Sequence, residues 1–118
     1  MPRVSPRKLD PQLESLILEI LYNLVGKLDS KNSKTTILAL LTPEERLMLG
    51  KRIAALLLLK AGYTYTKLNQ ILKIVPATTI QIKNRVRANQ KTFRDLTALL
   101  EALPETQEFY KTAKEIHS

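Results

Sequence analysis

Residues 63 to 94 read YTYTKLNQILKIVPATTIQIKNRVRANQKTFR, and this stretch decides the predicted fold. Its first half has room for two short helices and a tight turn. Pro76 disfavours helical geometry at Val75 but suits the first turn of a new helix, so one helix should end before it and another begin at it. Basic side chains crowd the second half. The stretch therefore predicts a helix-turn-helix at about residues 63 to 88 and a nucleic-acid-binding surface.

The excess of positive charge lies in the middle of the sequence. Between residues 46 and 94 there is no Asp or Glu, and the Lys and Arg residues there are Arg46, Lys51, Arg52, Lys60, Lys67, Lys73, Lys83, Arg85, Arg87, Lys91 and Arg94. Residues 1–45 carry six basic and six acidic groups, and residues 95–118 carry two and five, which leaves a net charge of +8. Such a field favours polyanions as partners. We expect double-stranded DNA.

Composition excludes several other classes of protein. The chain has 118 residues, no Cys and a single His at position 117, so disulfides, thiolate metal sites and imidazole catalysis are not expected. The longest apolar run, residues 53–59, is far shorter than the roughly 20 residues that span a bilayer. We predict a cytoplasmic protein that contacts no membrane, with no cofactor, no metal ion and no catalytic residue.

Helix signals follow one another along the chain. Residues 1–9 are basic and rich in Pro, and they should form a flexible tail. A helix should begin at Asp10-Pro11 and a short second one should cover residues 35–41. Thr42-Pro43-Glu44-Glu45 has the form of a capping box, in which Thr and Glu side chains bond each other's backbone N–H. It should open a buried central helix that ends before Gly62.

The helices of the second half are less sharply bounded. A fourth helix should open at Thr64 or Tyr65 and a fifth near Pro76. The fifth either continues or bends into a sixth, which carries Leu99 on its apolar stripe and ends before Pro104, and a last helix should cover residues 105–116, with Ile116 inward. No alternating strand pattern is present. We predict one all-α domain over residues 10 to 118.

One run of residues carries a family resemblance. Residues 41–52 read LTPEERLMLGKR, which resembles the L-T-P-x-E-R-x-x-L-G-x-R signature of the tryptophan repressor superfamily. Thr79-Ile80 followed by Asn84-Arg85 resembles the recognition helix of its Trp-repressor-like branch, which has no established corepressor. The specific similarity covers about residues 40 to 86. It implies an intertwined homodimer that acts as a transcriptional regulator, a repressor, by placing a helix-turn-helix in the DNA major groove.

The same resemblance bears on a small ligand. In the true repressor two Arg grip the tryptophan corepressor, one from the central helix and one from the recognition helix with a Gly after it. Arg52 matches the first Arg, whereas Ile82 and Lys83 fall at the second Arg and the Gly. We therefore predict no tryptophan binding, with Arg52 as the one suspected ligand contact. Alternatively, Arg52 pairs with Glu45 or covers a dimer contact.

A helix-turn-helix assigns roles to the remaining polar residues, because the start of its second helix meets base edges and the surrounding groups meet phosphates. The candidates for base contact are Thr78, Thr79 and Gln81. The candidates for phosphate contact are Tyr65, Thr66, Lys67 and Lys73. Four further residues are divided between phosphate and groove: Lys83, Asn84, Arg85 and Arg87. The alternative for the two Thr is that they cap a helix, and for the cations that they form a solvated face.

Two other functions remain open from the sequence. A helical adaptor could use the basic face to bind an acidic protein. The chain could also be the DNA-binding module of a recombinase or transposase system, although it has no carboxylate cluster for metal-assisted phosphoryl transfer, so cleavage would need another chain. For the same reason we do not expect an enzyme.

Overall fold

The computed structural model describes residues 8–117, with side chains to Ile116, and every helix in this part of the chain is an α-helix. The helices are α1 (Pro11–Lys27), α2 (Ser33–Leu40), α3 (Pro43–Lys60), α4 (Tyr65–Leu72), α5 (Pro76–Ala88), α6 (Gln90–Glu101) and α7 (Pro104–His117). Residues 8–117 contain no strand, so the all-α prediction is confirmed. All but the last two residues of the predicted flexible tail lie outside the described residues. The chain forms two compact units, one ending at Leu47 and the other beginning at Met48.

In the first unit, a carboxylate side chain bonds the backbone at the start of α1 and another does so in the turn before α2. The Asp10 carboxylate accepts from the backbone N–H groups of Gln12 and Leu13, at 3.0 and 3.1 Å, and Pro11 occupies the first helical position. A second carboxylate, that of Asp29, accepts from two N–H groups in the turn before α2. This turn starts α2 two residues earlier than the predicted Thr35. Neither α1 nor α2 has a buried residue.

The predicted capping box is present at the start of α3. The backbone N–H of Glu45 donates to Thr42 Oγ1 at 3.1 Å, and the N–H of Thr42 donates to Glu45 Oε1 at 2.8 Å. The bond from the Thr42 N–H lowers the pKa of the Glu45 carboxyl from its ordinary value of 4.5. Arg46 donates to the Leu41 carbonyl at 2.9 Å and so bonds the end of α2 rather than a carboxylate.

The second unit is built around the last two turns of α3. Ala55, Leu56, Leu57 and Leu58 are all buried there, so the predicted burial of this helix holds for its second half. In its first half, Leu47, Met48 and Leu49 are exposed. The core adds Leu68 of α4, Ile82 of α5 and Ala113 of α7. Gly62, at φ 93°, ends α3, with its N–H and that of Tyr63 donating to the Leu59 and Leu58 carbonyls. These two bonds satisfy carbonyls that the helix end leaves free.

The joint between α4 and α5 consists of residues 73–75. Lys73 adopts the left-handed conformation, at φ 55° and ψ 49°, where a Gly would avoid a steric cost. Val75 is extended and Pro76 begins α5, as predicted from the restriction that Pro places on its neighbour. The Lys51 ammonium donates to the Lys73 carbonyl at 3.3 Å and ties this joint to α3.

The open question about the fifth and sixth helices is settled by a break at Asn89. Its backbone leaves helical geometry, at φ −134° and ψ 46°, and its side-chain amide donates to the Arg85 carbonyl at 2.9 Å. Beyond the break, α6 and α7 pack on each other, and α7 also packs on α4. Among the described residues, no helix is long and apolar enough to cross a membrane.

Candidate nucleic-acid interface

The first turn of α4 presents three of the predicted phosphate contacts on the surface. Thr64 caps this helix, since its hydroxyl accepts from the Lys67 N–H at 3.2 Å. Tyr65, Thr66 and Lys67 follow and are exposed. A helix N-terminus carries partial positive charge from its free N–H groups, and Lys67 adds a full charge there. This end of α4 can therefore attract an anion.

Two cations lie at the joint between α4 and α5. Lys73 is exposed, and its carbonyl is held by Lys51 of α3. The left-handed backbone of Lys73 ends α4 and turns the chain toward α5. Positive charge from α3 is thus brought to the loop that precedes α5.

The two faces of α5 differ in character. The inner face consists of Thr79, Ile82 and Val86, of which the first two are buried and the third is packed against the core. The spacing of 100° per residue places Ile80, Gln81 and Asn84 on the opposite side, and all three are exposed. The outer face of α5 therefore offers two carboxamides and one large aliphatic side chain to a ligand.

The prediction that Thr79 contacts a base is wrong. Thr79 is only 3% exposed, and its hydroxyl donates to Asn69 Oδ1 of α4. The side chain therefore joins α4 to α5 from inside. Thr78 is half-buried and faces Lys51, Arg52 and Ile74, so it is poorly placed for base contact. Neither Thr caps α5, because the cap residue is Val75.

The basic residues of α5 lie on two flanks of its outer face. On one flank, the Lys83 ammonium lies 5.3 Å from the centroid of the Tyr65 ring, a cation–π contact between α5 and α4. Arg87 follows one turn later and is exposed. On the other flank, Arg85 is exposed beside α3. The predicted basic candidates on α5 are thus separated by the outer face rather than gathered in one patch.

Arg85 and Arg52 line one cavity of about 470 Å³ between α3, α5 and α6. The rest of its lining is mainly apolar and consists of Leu49, Ile53, Leu56, Ile82, Asn89, Thr92, Phe93 and Leu96. Ile82 lines this cavity, whereas Lys83 lies on the other flank of α5. The two guanidinium groups that line the cavity are therefore those of Arg52 and Arg85. The absence of tryptophan binding stays a prediction.

Ile80 is a surface residue that was not among the predicted DNA contacts. It is 57% exposed on the outer face of α5, one residue from Gln81 and one turn from Asn84. It also lines a depression of about 180 Å³ with Tyr65, Asn69, Pro76, Thr79 and Lys83. The sequence does indicate that Ile80 is exposed, because Ile80 lies outside the helical spacing that places Ile82 and Val86 on the inner face.

Most of the positive charge of residues 46–94 has no carboxylate beside it. Among the described residues, Lys60 pairs with Glu101 at 2.7 Å and Lys91 pairs with Asp95 at 3.0 Å. Both acids come from the segment after residue 94. No other cation of the stretch forms an ion pair in the described part of the chain, so the surface around α4 and α5 keeps its positive field.

Comparisons of the chain with protein-family models, with curated proteins and with solved structures find no match. The resemblance of residues 40–86 to the tryptophan repressor superfamily therefore stays a prediction. The functional proposal rests on the outer face of α5, its cationic flanks and the charge around them.

Proposed function

We propose that this protein is a sequence-specific double-stranded DNA-binding regulator, a repressor of the Trp-repressor-like class, in which α4 and α5 form the helix-turn-helix. The observation that carries the proposal is the outer face of α5. It presents exposed carboxamides between cationic flanks, in a stretch of 49 residues, 46–94, without a carboxylate. Carboxamides and cations are the groups that bind adenine edges and phosphates, respectively.

The base contacts assigned in this proposal are Gln81 and Asn84. Each carboxamide can pair with the N6 and N7 atoms of adenine in the major groove. Both residues are exposed on the outer face of α5, within the helix that a helix-turn-helix inserts into the groove. Thr79 has no such role, because its buried hydroxyl is bonded to Asn69.

The phosphate contacts lie at the edges of this surface. Thr66 and Lys67 lie in the first turn of α4, where the partial positive charge of the helix N-terminus adds to the charge of the Lys67 side chain. Lys73 approaches from the joint, and Lys83 and Arg87 approach from the flank of α5 beside α4. Tyr65 contributes by holding Lys83 in place. These contacts position α5 and do not select bases.

A homodimer completes the proposal. One module of this size covers few base pairs, whereas a two-fold dimer covers two half-sites about 34 Å apart. The apolar side chains of α1, which are exposed throughout, supply a surface that a second copy can cover. The expected operator is therefore close to palindromic.

Two classes of variant test the division of roles. Gln81→Ala should lose preference at one base position, worth about 1–3 kcal/mol, and keep its affinity for unrelated duplexes. Arg87→Ala should weaken binding to all duplexes and lower the salt slope by about 0.9. Fluorescence anisotropy on duplexes that vary one base pair at a time, at several salt concentrations, measures both effects.

Matched controls come from α7, where Gln107 and Lys114 are exposed outside the basic stretch. Gln107→Ala and Lys114→Ala should bind as the wild type does. If Gln81→Ala and Arg87→Ala change binding in the same way, the division of roles is wrong. If the wild type binds no duplex at low salt, the proposal fails, and a helical adaptor for acidic proteins takes its place.

A further inference from the structure

Ile80 is an exposed aliphatic side chain at the place where the proposed function puts DNA. It is 57% exposed, while Thr79 just before it and Ile82 two residues after it are buried. The core therefore does not explain why an apolar residue occurs here. Its neighbours on the outer face are the carboxamides of Gln81 and Asn84.

The surroundings of Ile80 form an apolar depression rather than a flat surface. Tyr65 of α4 and Pro76 of α5 line this depression of about 180 Å³ together with Ile80. Lys83 lies over the Tyr65 ring on the same flank, so the ring is held against α5. An apolar group that enters here gains contact with three apolar side chains.

The major groove of DNA offers one apolar group at its base edges, the C5-methyl group of thymine. Cytosine has a C5–H in place of this methyl group, and adenine and guanine present mainly hydrogen-bonding groups there. Because an aliphatic side chain gains little from polar edges, thymine is the base that Ile80 can distinguish. Asn84, one helical turn after Ile80, can pair with an adenine next to that thymine.

We propose that Ile80 is a specificity-determining residue that selects a thymine through its methyl group, in the depression formed with Tyr65 and Pro76. This inference rests on the proposed function, since it assumes that α5 lies in the major groove. It predicts that each half-site contains a thymine whose methyl group is needed, beside an adenine paired with Asn84.

The test begins with selection of duplexes from a random pool by the wild-type protein. Each thymine of the enriched half-site is then replaced by deoxyuridine, which removes only the methyl group. At one position the wild type should bind the deoxyuridine duplex about fourfold more weakly, the loss that one buried methyl group gives. Ile80→Ala should bind the thymine duplex about fourfold more weakly as well and should no longer distinguish the two bases there.

Leu99→Ala serves as the matched control, because Leu99 is an exposed aliphatic residue of α6, at 69%. It should keep the full preference for thymine. If Ile80→Ala keeps the wild-type preference at every thymine, the inference is overturned while the proposed function stands. If selection enriches no sequence, both are overturned.

Discussion

Thr79 and Ile80 are adjacent in sequence but have opposite environments. The Thr79 hydroxyl is buried and bonded to Asn69, whereas Ile80 is exposed to solvent. A polar group in the interior stabilises the fold only while its partner remains, because an unsatisfied buried group costs about 1–3 kcal/mol. The polar residue of this pair is therefore structural, and the apolar one is available for function.

Replacing Thr79 by Val tests this assignment. Thr79→Val removes the hydroxyl but keeps the shape, and it leaves Asn69 Oδ1 without its donor. We expect the free energy of unfolding to fall by about 1–3 kcal/mol and the DNA sequence preference to stay unchanged. Urea denaturation and anisotropy titrations measure the two effects. Thr78→Val, at a half-buried position, should cost less, and equal costs for both variants would contradict the assignment.

The roles of these residues were only partly predictable from the sequence. Thr79 was predicted to contact a base because it lies near the start of a helix. However, it lies three residues before Ile82 and seven before Val86, and this spacing places it on the inner face. Gln81 and Asn84 are exposed because they do not share this helical spacing. The partner of Thr79 was not predictable, since Asn69 lies on another helix and the crossing of α4 and α5 depends on tertiary packing.

At the scale of elements, the joint between α4 and α5 contains the left-handed residue Lys73. A residue with a Cβ atom pays about 1–2 kcal/mol for this conformation. Lys73→Gly should therefore raise the free energy of unfolding by about 1 kcal/mol, since the more flexible unfolded chain offsets part of the gain. Urea denaturation measures the change.

The same substitution removes a predicted phosphate contact. Lys73→Gly should thus be more stable and yet bind DNA more weakly, with a salt slope lower by about 0.9. Lys73→Asn is the matched control, because Asn tolerates the left-handed conformation and also lacks the charge. If Lys73→Gly has the same free energy of unfolding as the wild type, the left-handed conformation of Lys73 does not destabilise the fold, and the prediction is wrong.

The capping box at the start of α3 gives a pH dependence. The Thr42 N–H holds the pKa of Glu45 below 4.5, so the folded state favours the carboxylate more than the unfolded chain does. This contribution to stability is present above pH 4.5 and is lost as the pH falls through the lower pKa of the folded state. Glu45→Gln keeps a hydrogen-bond acceptor but cannot titrate.

The variant should therefore lose less stability than the wild type when the pH is lowered through this range. Thermal denaturation between pH 6 and about 3 measures the difference. Thr42→Ala should lower stability at every pH by about 1 kcal/mol. Identical pH profiles for the wild type and Glu45→Gln would rule out the linkage.

Helix ends were predicted well where a local signal exists. The Asp10 cap, the Thr42 box, Gly62 and Pro76 act through the backbone of their own neighbours, and the structure places helix ends at all four. Apolar stripes far from such signals were less reliable. Leu99 and Ile116 were expected inward but are 69% and 67% exposed, because the packing of α6 and α7 depends on other elements.

At the scale of the whole molecule, the first unit leaves most of its apolar side chains exposed. In the described part of the chain, α1 carries nine large hydrophobic residues that are exposed. They are Leu13, Leu16, Ile17, Leu18, Ile20, Leu21, Tyr22, Leu24 and Val25. An apolar surface of this extent usually marks an interface. A second copy of the chain is the partner that the proposed function requires.

Light scattering tests the dimer. The wild type at micromolar concentration should have twice the mass of the 13.4 kDa chain. The double variant Ile17→Glu/Ile20→Glu places charges in the apolar surface of α1, so it should shift the mass toward one chain and weaken operator binding. Leu99→Glu, which adds a charge to an exposed position of α6, should leave the mass unchanged. A wild-type mass of 13.4 kDa would contradict the dimer.

In the proposed function, α5 recognises a DNA sequence while the surrounding cations bind phosphates. The most direct test is an anisotropy titration of the wild-type protein on the DNA upstream of its own gene and on a scrambled duplex, at two salt concentrations. We expect a preference of about a thousandfold or more for the upstream duplex, with both affinities falling steeply as salt rises. Equal, salt-sensitive affinity for the two duplexes would contradict sequence recognition and leave only a basic surface.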